Sequence, residues 1–489
     1  MKIFCSAKDG TSLVGEFGTA AFNQCGTPEG RAEFVKLNPV PRGLNAIVPY
    51  GIDSGKSATY MLCETQDGRV LLGQYPSLAG LITADALNAI LPEAAGRHAG
   101  KSAAYWLCET QKGRELLVQY PHLAQSISAE NLNARLPKSA GPRSGKSAAY
   151  WLFGTPEGLA LLRQDNGLAR KITADTLNAR FPDLAGPNVG SSVAYWLCAT
   201  SEGISLLKKN DGFLARKIST EALNARLPET AGPNAGSSAA FFLCAKKEGR
   251  ELLKEDDGVL ARKISTETLN ASLRDSAGLT AGSSAAYWLC ATSEGQALLR
   301  EDYCLLAPKI STDALNARLP QLAGLNAGYS AAYWLCRSLG GLALLRQYSL
   351  SLPPRLSAEA LNARLPETAG PNAGSSAAFF LCQKKEGREL LGQYPHLVKY
   401  ISAETLNAKL PGSAGSNAGY SAAYFLCRTP DGLALLGQNP RLKDLISDAS
   451  LKERLSAVKT ARSAPAASSF FSAPPFTDEL PAKHRKTQP

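Results

Sequence analysis

Eleven cysteines and four histidines are the chain's whole stock of thiols and imidazoles, and their placement limits the chemistry open to it. Nine cysteines fall at one recurring position: Cys25, Cys63, Cys108, Cys198, Cys244, Cys290, Cys336, Cys382 and Cys427, with Phe153 in the remaining place. Exchange with phenylalanine marks a buried apolar site, where a free thiol packs as a small hydrophobe. No pair has the short spacing of a zinc or redox motif. Cys5 and Cys304 stand outside the pattern, and no readable motif fixes a histidine near either. So few histidines leave little for metal or acid–base sites, which argues against most hydrolases. Neither a metal nor a cofactor is expected. Unpaired buried thiols point to a reducing compartment, the cytosol.

Gly-Lys-Ser at 55–57, 100–102 and 145–147 ends like a phosphate-binding loop, but it lacks that loop's glycine spacing and preceding strand. Later units put Gly-Ser-Ser or Gly-Tyr-Ser in the same slot, so the serine is expected as a helix N-cap. Asparagine recurs in Leu-Asn-Ala as Asn88, Asn133, Asn178, Asn224, Asn270, Asn316, Asn362 and Asn407. It is a poor helix former, so its amide is expected to satisfy backbone groups of the adjacent loop, unit after unit. Two rows of cations are the binding candidates. One is Arg170, Lys171, Arg216, Lys217, Arg262, Lys263, Lys309 and Arg355; the other is Arg135, Arg180, Arg226, Arg318, Arg364 and Lys409. Stacked, they would suit an acidic protein or a phosphate backbone, in keeping with 53 Lys+Arg against 42 Asp+Glu. Acids recur just upstream at Asp165, Asp211, Asp256, Asp257, Glu301 and Asp302, so a solvated face of mixed sign is the competing reading. A catalytic centre is one constellation held once, whereas these residues return along the chain. No enzyme is expected.

The elements that must position these residues follow a repeat of about 45 residues. An aromatic inside a short apolar segment returns at Phe22, Tyr60, Tyr105, Tyr150, Tyr195, Phe241, Tyr287, Tyr333, Phe379 and Tyr424. Ten units result, the first shortened and the last carrying Leu451-Lys452-Glu453 in place of Leu-Asn-Ala. For 489 residues this means one elongated array rather than two to four globular domains. Residues 282–320 predict three short helices. The first is capped by Ser284 and the second starts at Thr292-Ser293-Glu294-Gly295. The third opens at Ser311-Thr312-Asp313 and runs through Leu315 and Leu319 to Pro320. A glycine occurs at one position in all ten units, from Gly30 and Gly68 to Gly432, and predicts close backbone approach. Nothing alternates with period two, so the expected fold is an all-α solenoid or superhelix of about ten ~45-residue repeats.

Residues 1–50 read as a degenerate first repeat and N-terminal cap, 51–438 as tandem repeats and 439–455 as a C-terminal capping helix. Residues 456–489 turn to Ala, Ser, Pro and Lys and are expected to be a disordered tail. Its Phe470, Phe471 and Phe476 would suit a short docking segment or an export signal. No apolar run reaches the roughly 18 residues of a membrane helix. Residues 1–19 lack the apolar core of a cleaved secretory signal.

The line Gly-Ser-Ser-Ala-Ala-Tyr-Trp-Leu-Cys at 282–290 resembles the first helix of ankyrin repeats. Ser284, Ala285, Ala286 and Tyr287 take the places of that family's Thr, Pro, Leu and His. Gly295 with Leu298 and Leu299 resembles the second helix. An ankyrin unit has about 33 residues, and the extra dozen here would form the third helix. Near-identical Ala/Leu-rich repeats are also similar to repeat effectors that bacteria deliver into eukaryotic cells. That resemblance implies a non-enzymatic scaffold that binds a host protein, exported to the host cytosol by a specialised secretion system. Nucleic-acid binding through the cation rows is the alternative.

Overall fold

The computed structural model describes residues 23–36, 41–48, 53–164, 167–180, 189–209, 212–301 and 305–463. Cys5, Cys304 and the tail from residue 464 onward lie outside them. The described chain is an all-α solenoid. It has no strand among the described residues, and one isolated bridge joins Arg180 to Ser192.

Unit 3 illustrates the plan. Four helices, Ala103–Glu109, Gln111–Gln119, Pro121–Ser126 and Ala129–Asn133, are followed by a 3₁₀ turn at Lys138–Arg143. None is long enough to persist alone in water, so caps and neighbours must hold each one. The Ser102 hydroxyl accepts from the Tyr105 amide, Thr110 from Gly113 and Ser128 from Asn131, each at 3.1 Å. Equivalent serine caps start the first helix of every unit from Ser57 to Ser421. The serine of Gly-Lys-Ser is thus a cap, as expected.

Two details differ from the sequence expectation. A helix stands between the second and the Leu-Asn-Ala helix, so the unit has four helices, not three. It forms because a Leu-Ala or Leu-Val pair (Leu123 and Ala124, Leu260 and Ala261, Leu397 and Val398) is buried in the core, an attraction that tertiary contact alone supplies. Prolines reduce it to a 3₁₀ turn at Ala307–Lys309 and Pro353–Arg355. The Leu-Asn-Ala helix also stops earlier, at Asn316 rather than before Pro320. Leu319 instead exchanges two backbone hydrogen bonds with the next loop, its N–H donating to Tyr329 O and its O accepting from Gly328 N.

The recurring glycine sits where the first and second helices meet. A Cβ on Gly68 would lie 2.6 Å from the Leu62 carbonyl oxygen and 2.7 Å from Leu62 Cα, a distance no side chain tolerates. Equivalent helices of successive units then pack side by side. Their Tyr/Phe, Leu and Cys side chains form one continuous core along the array. At the C-terminal end Pro440–Leu445 and Ala449–Ser463 follow the last complete unit, the latter packing on Ala422–Arg428 and running past the 455 boundary expected for the cap.

Candidate interaction surface

The asparagines act between units. Asn270 Nδ2 donates to Thr266 O at 2.7 Å and to Lys309 O of the next unit at 2.8 Å, while its Oδ1 accepts from Ser311 N at 2.7 Å. The same bonds recur at Asn88, Asn133, Asn178, Asn224, Asn316, Asn362 and Asn407. One amide therefore closes the fourth helix of its own unit and docks the loop of the next.

The first cation row divides in two. Lys171 Nζ donates to Gln125 O and Ile127 O of the preceding unit at 2.6 and 2.7 Å. Lys217 reaches Ile172 O at 2.5 Å, Lys263 reaches Ile218 O at 2.7 Å and Lys309 reaches Ile264 O at 2.8 Å. Arg355 Nη1 bonds Ile310 O and, at 3.0 Å, Pro308 O. Partial burial lowers the pKa of Lys171, Lys217 and Lys263 from the usual lysine value. These five cations therefore lace units together. Arg170, Arg216 and Arg262 end the same short helices but remain exposed, and Arg262 Nη2 donates to Asp257 O at 2.9 Å. The second row is also largely occupied: Arg226, Arg318 and Arg364 each bond a glycine carbonyl in the following loop and a carbonyl one unit on.

The nine recurring thiols are buried and unpaired with one another. Burial pushes Cys63, Cys108, Cys290, Cys336 and Cys382 up to about 12, far from a reactive thiolate. Among the described residues no group of His, Cys, Asp and Glu could hold a metal, and no helix is long and apolar enough to cross a membrane.

A row of indoles and phenyl rings runs beside the buried tyrosines. The Trp106, Trp151 and Trp334 N–H groups donate to Tyr60, Tyr105 and Tyr287 of the preceding unit at 2.9, 2.8 and 3.1 Å. Where the next unit carries Phe242 or Phe380, Tyr195 and Tyr333 pair instead with Ser237 and Ser375 at 2.8 and 2.9 Å. The second residue of the Gly-Lys-Ser slot lies above this row. Lys101 Nζ is 4.4 Å from the Trp106 centroid, and Lys146 Nζ is 5.1 Å from that of Trp151. Tyr329 stacks on Trp334 at 4.9 Å and Tyr420 on Tyr424 at 4.5 Å. Around Lys101, Glu109 pairs with Arg143, and Glu64 Oε1 lies 3.0 Å from His98 Nδ1. Burial, reinforced by Lys101 and other nearby cations, lowers His98 to about 4 and keeps it neutral.

What differs between units lies at the edge. The 3₁₀ turns carry Pro, Ser, Thr or Asn in most units, but Asp275–Thr280 and Gln321–Asn326 place Leu279, Leu322 and Leu325 there, 72, 57 and 82% exposed. A Cβ on Gly324 would meet Leu279 Cδ2 at 3.2 Å, so the two turns are in contact. In unit 5, a cavity of about 350 Å³ adjoins Trp196, between Gly154, Thr155 and Pro156 on one side and Leu227 and Asn234 on the other. Periodicity hides both features, because it registers only what recurs. The available signal was departure from the consensus: leucine for proline in two turns and glycine at 154. No model of a known protein family matches the chain, and no curated protein matches it either.

Proposed function

We propose that the chain is a non-enzymatic protein-binding scaffold. The observation that carries this reading is the division of labour among its side chains. The recurrent polar groups, asparagine amides and lysine ammoniums, bond neighbouring units, whereas the unit-specific residues Leu279, Leu322 and Leu325 form an exposed apolar edge. Apolar residues gathered on a surface rimmed by polar ones favour association with another protein. The ankyrin-like reading of the first two helices, and delivery into a host cell where buried thiols stay reduced, belong to the same proposal.

The test is affinity capture with the full chain at low and high salt, with and without nuclease, beside a variant carrying Leu279→Ser, Leu322→Ser and Leu325→Ser. A protein retained through salt and nuclease, and lost with the variant, is the expected result. Nucleic acid that elutes at high salt would overturn it in favour of the second reading. That reading rests on Arg170, Arg216 and Arg262, exposed at the ends of three adjoining helices.

A further inference from the structure

The C-terminal end of the array leaves open the groups that earlier junctions close. Arg226, Arg318 and Arg364 each bond a loop glycine carbonyl and the carbonyl of the next residue in their row. For Lys409 the corresponding residues are Gly419 and Arg454, since Leu451-Lys452-Glu453-Arg454 takes the place of Leu-Asn-Ala-Arg. Its ammonium makes no hydrogen bond or ion pair among the described residues. Tyr60, Tyr105, Tyr195, Tyr287 and Tyr333 each share their hydroxyl with a tryptophan or serine of the following unit. The Tyr424 hydroxyl, last in that series, has no partner among the described residues. In earlier units the chain turns back after the Leu-Asn-Ala helix and brings that partner. Here the helix runs on from Ala449 to Ser463. Between Lys409, Tyr424 and the start of that helix lies a cavity of about 540 Å³, lined also by Arg428, Asp448, Glu453 and Arg454. Every residue of its lining is described.

We infer that this cavity binds an extended segment of a partner protein with a single acidic residue, lying where the loop of an eleventh unit would lie. Three observations favour such an occupant. In earlier units the equivalent groups bond peptide carbonyls and a serine hydroxyl, as Arg364 does with Gly374 O and Tyr333 with Ser375. A peptide supplies both. The face also continues the surface by which each unit holds the next, so its shape already suits polypeptide. Charge then selects the carboxylate. Lys409, Arg428 and Arg454 stand against Asp448 and Glu453, a surplus of one positive charge, and Asp448 Oδ1 already accepts three bonds from the start of its own helix. Arg428 lies exposed with its guanidinium 4.7 Å from the Tyr424 centroid and makes no ion pair among the described residues. A guanidinium pairs well with one carboxylate, whereas a polyanion would meet both acids of the lining. The inference goes beyond the leucine edge and rests on the scaffold reading only for its occupant's being a protein.

The experiment follows fluorescence anisotropy with the full chain and two rhodamine-labelled, amidated probes, Glu-Ala-Gly-Ser-Ser-Ala and Ala-Gly-Ser-Ser-Ala-Glu. Both copy the chain's own Ala-Gly-Ser-Ser-Ala loop. The expected result is saturable binding of at least one of them, about tenfold tighter than its glutamine counterpart. Arg428→Gln and Lys409→Gln should each weaken that binding several-fold, while Arg262→Gln, on the exposed surface of another unit, leaves it unchanged. Tyr424→Phe should weaken it too, and units 6 and 9 carry Phe241 and Phe379 at this position, so the fold accepts the change. No saturable binding, equal affinity for the glutamine probes, or full binding by all three cavity variants would each overturn the inference. So would binding that appears only in a variant with Asp478→Asn and Glu479→Gln, which would make the chain's own acidic pair the occupant. Capture of a protein through the leucine edge alongside any of those results would leave the scaffold standing without this cleft. Probe binding without such capture would leave the cleft standing on its own.

Discussion

An ammonium that donates to two backbone carbonyls of a neighbouring unit is held by direction as much as by charge. Lys263 does this toward Ile218 O and Arg216 O, whereas the adjoining Arg262 stays at the surface. Lys263→Met should therefore cost about 1 kcal/mol in urea unfolding, and Arg262→Met less than about 0.5 kcal/mol, the ordinary range for surface changes. Equal costs would mean that the two cations share one role. Their spacing was plain in the amino-acid order, but their roles were not, because a carbonyl acceptor some 45 residues away leaves no mark on local pattern. The asparagines were easier to read. An amide repeated inside a helix must answer a repeated backbone need, and the bonds of Asn270 meet it.

Helices of five to nine residues depend on what happens at their ends. Gly295 joins two of them where a Cβ would come within 2.6 Å of Leu289 Cα. Gly295→Ala should destabilise the chain by about 3 kcal/mol, since the overlap outweighs the gain of about 1 kcal/mol in helix propensity. At the C-terminal end, Asp448 Oδ1 accepts from Ser450 N at 3.0 Å, Ser450 Oγ at 2.7 Å and Leu451 N at 3.3 Å. The Ser450 hydroxyl and these amides hold its carboxyl below the usual aspartate value. A depressed folded pKa contributes stability above the unfolded value that is lost as pH falls through the folded one. The amides at the start of Ala449–Ser463 should thus lose hydrogen-exchange protection on acidification below about pH 4, and Asp448→Asn should blunt that dependence. These junctions were legible: Thr-Pro-Glu-Gly and Ser-Thr-Asp announce caps with a known mechanism. The inserted helix was not. Its sequences, Pro-His-Leu-Ala in one unit and Gly-Phe-Leu-Ala in another, share only a buried apolar pair, and four to six residues nucleate no helix without a neighbour to pack on.

Across the whole molecule, stability is a sum of unit terms and junction terms, because each unit touches chiefly its neighbours. Asn270→Ala removes two bonds across the junction of units 6 and 7 and one within the helix of unit 6. It should lower stability by about 2 kcal/mol and separate the denaturant transitions of the two halves. A single unchanged transition, with fluorescence of Trp196 and Trp334 coincident, would show coupling carried elsewhere. The array as a whole was the most readable level, since ten returns of one aromatic and the recurring Leu-Asn-Ala leave few alternatives; the exposed leucines and the Trp196 cavity were the least, being departures from that regularity. The uniform junctions have a mechanical consequence. A chain pulled from its two ends meets the same amide clasp at each step, joined by a lysine or arginine clasp in the middle units, so it should lengthen as a ratchet of equal increments, roughly 150 Å for every 45 residues released. Such a molecule would behave as an extensible tether whose slack is metered one unit at a time.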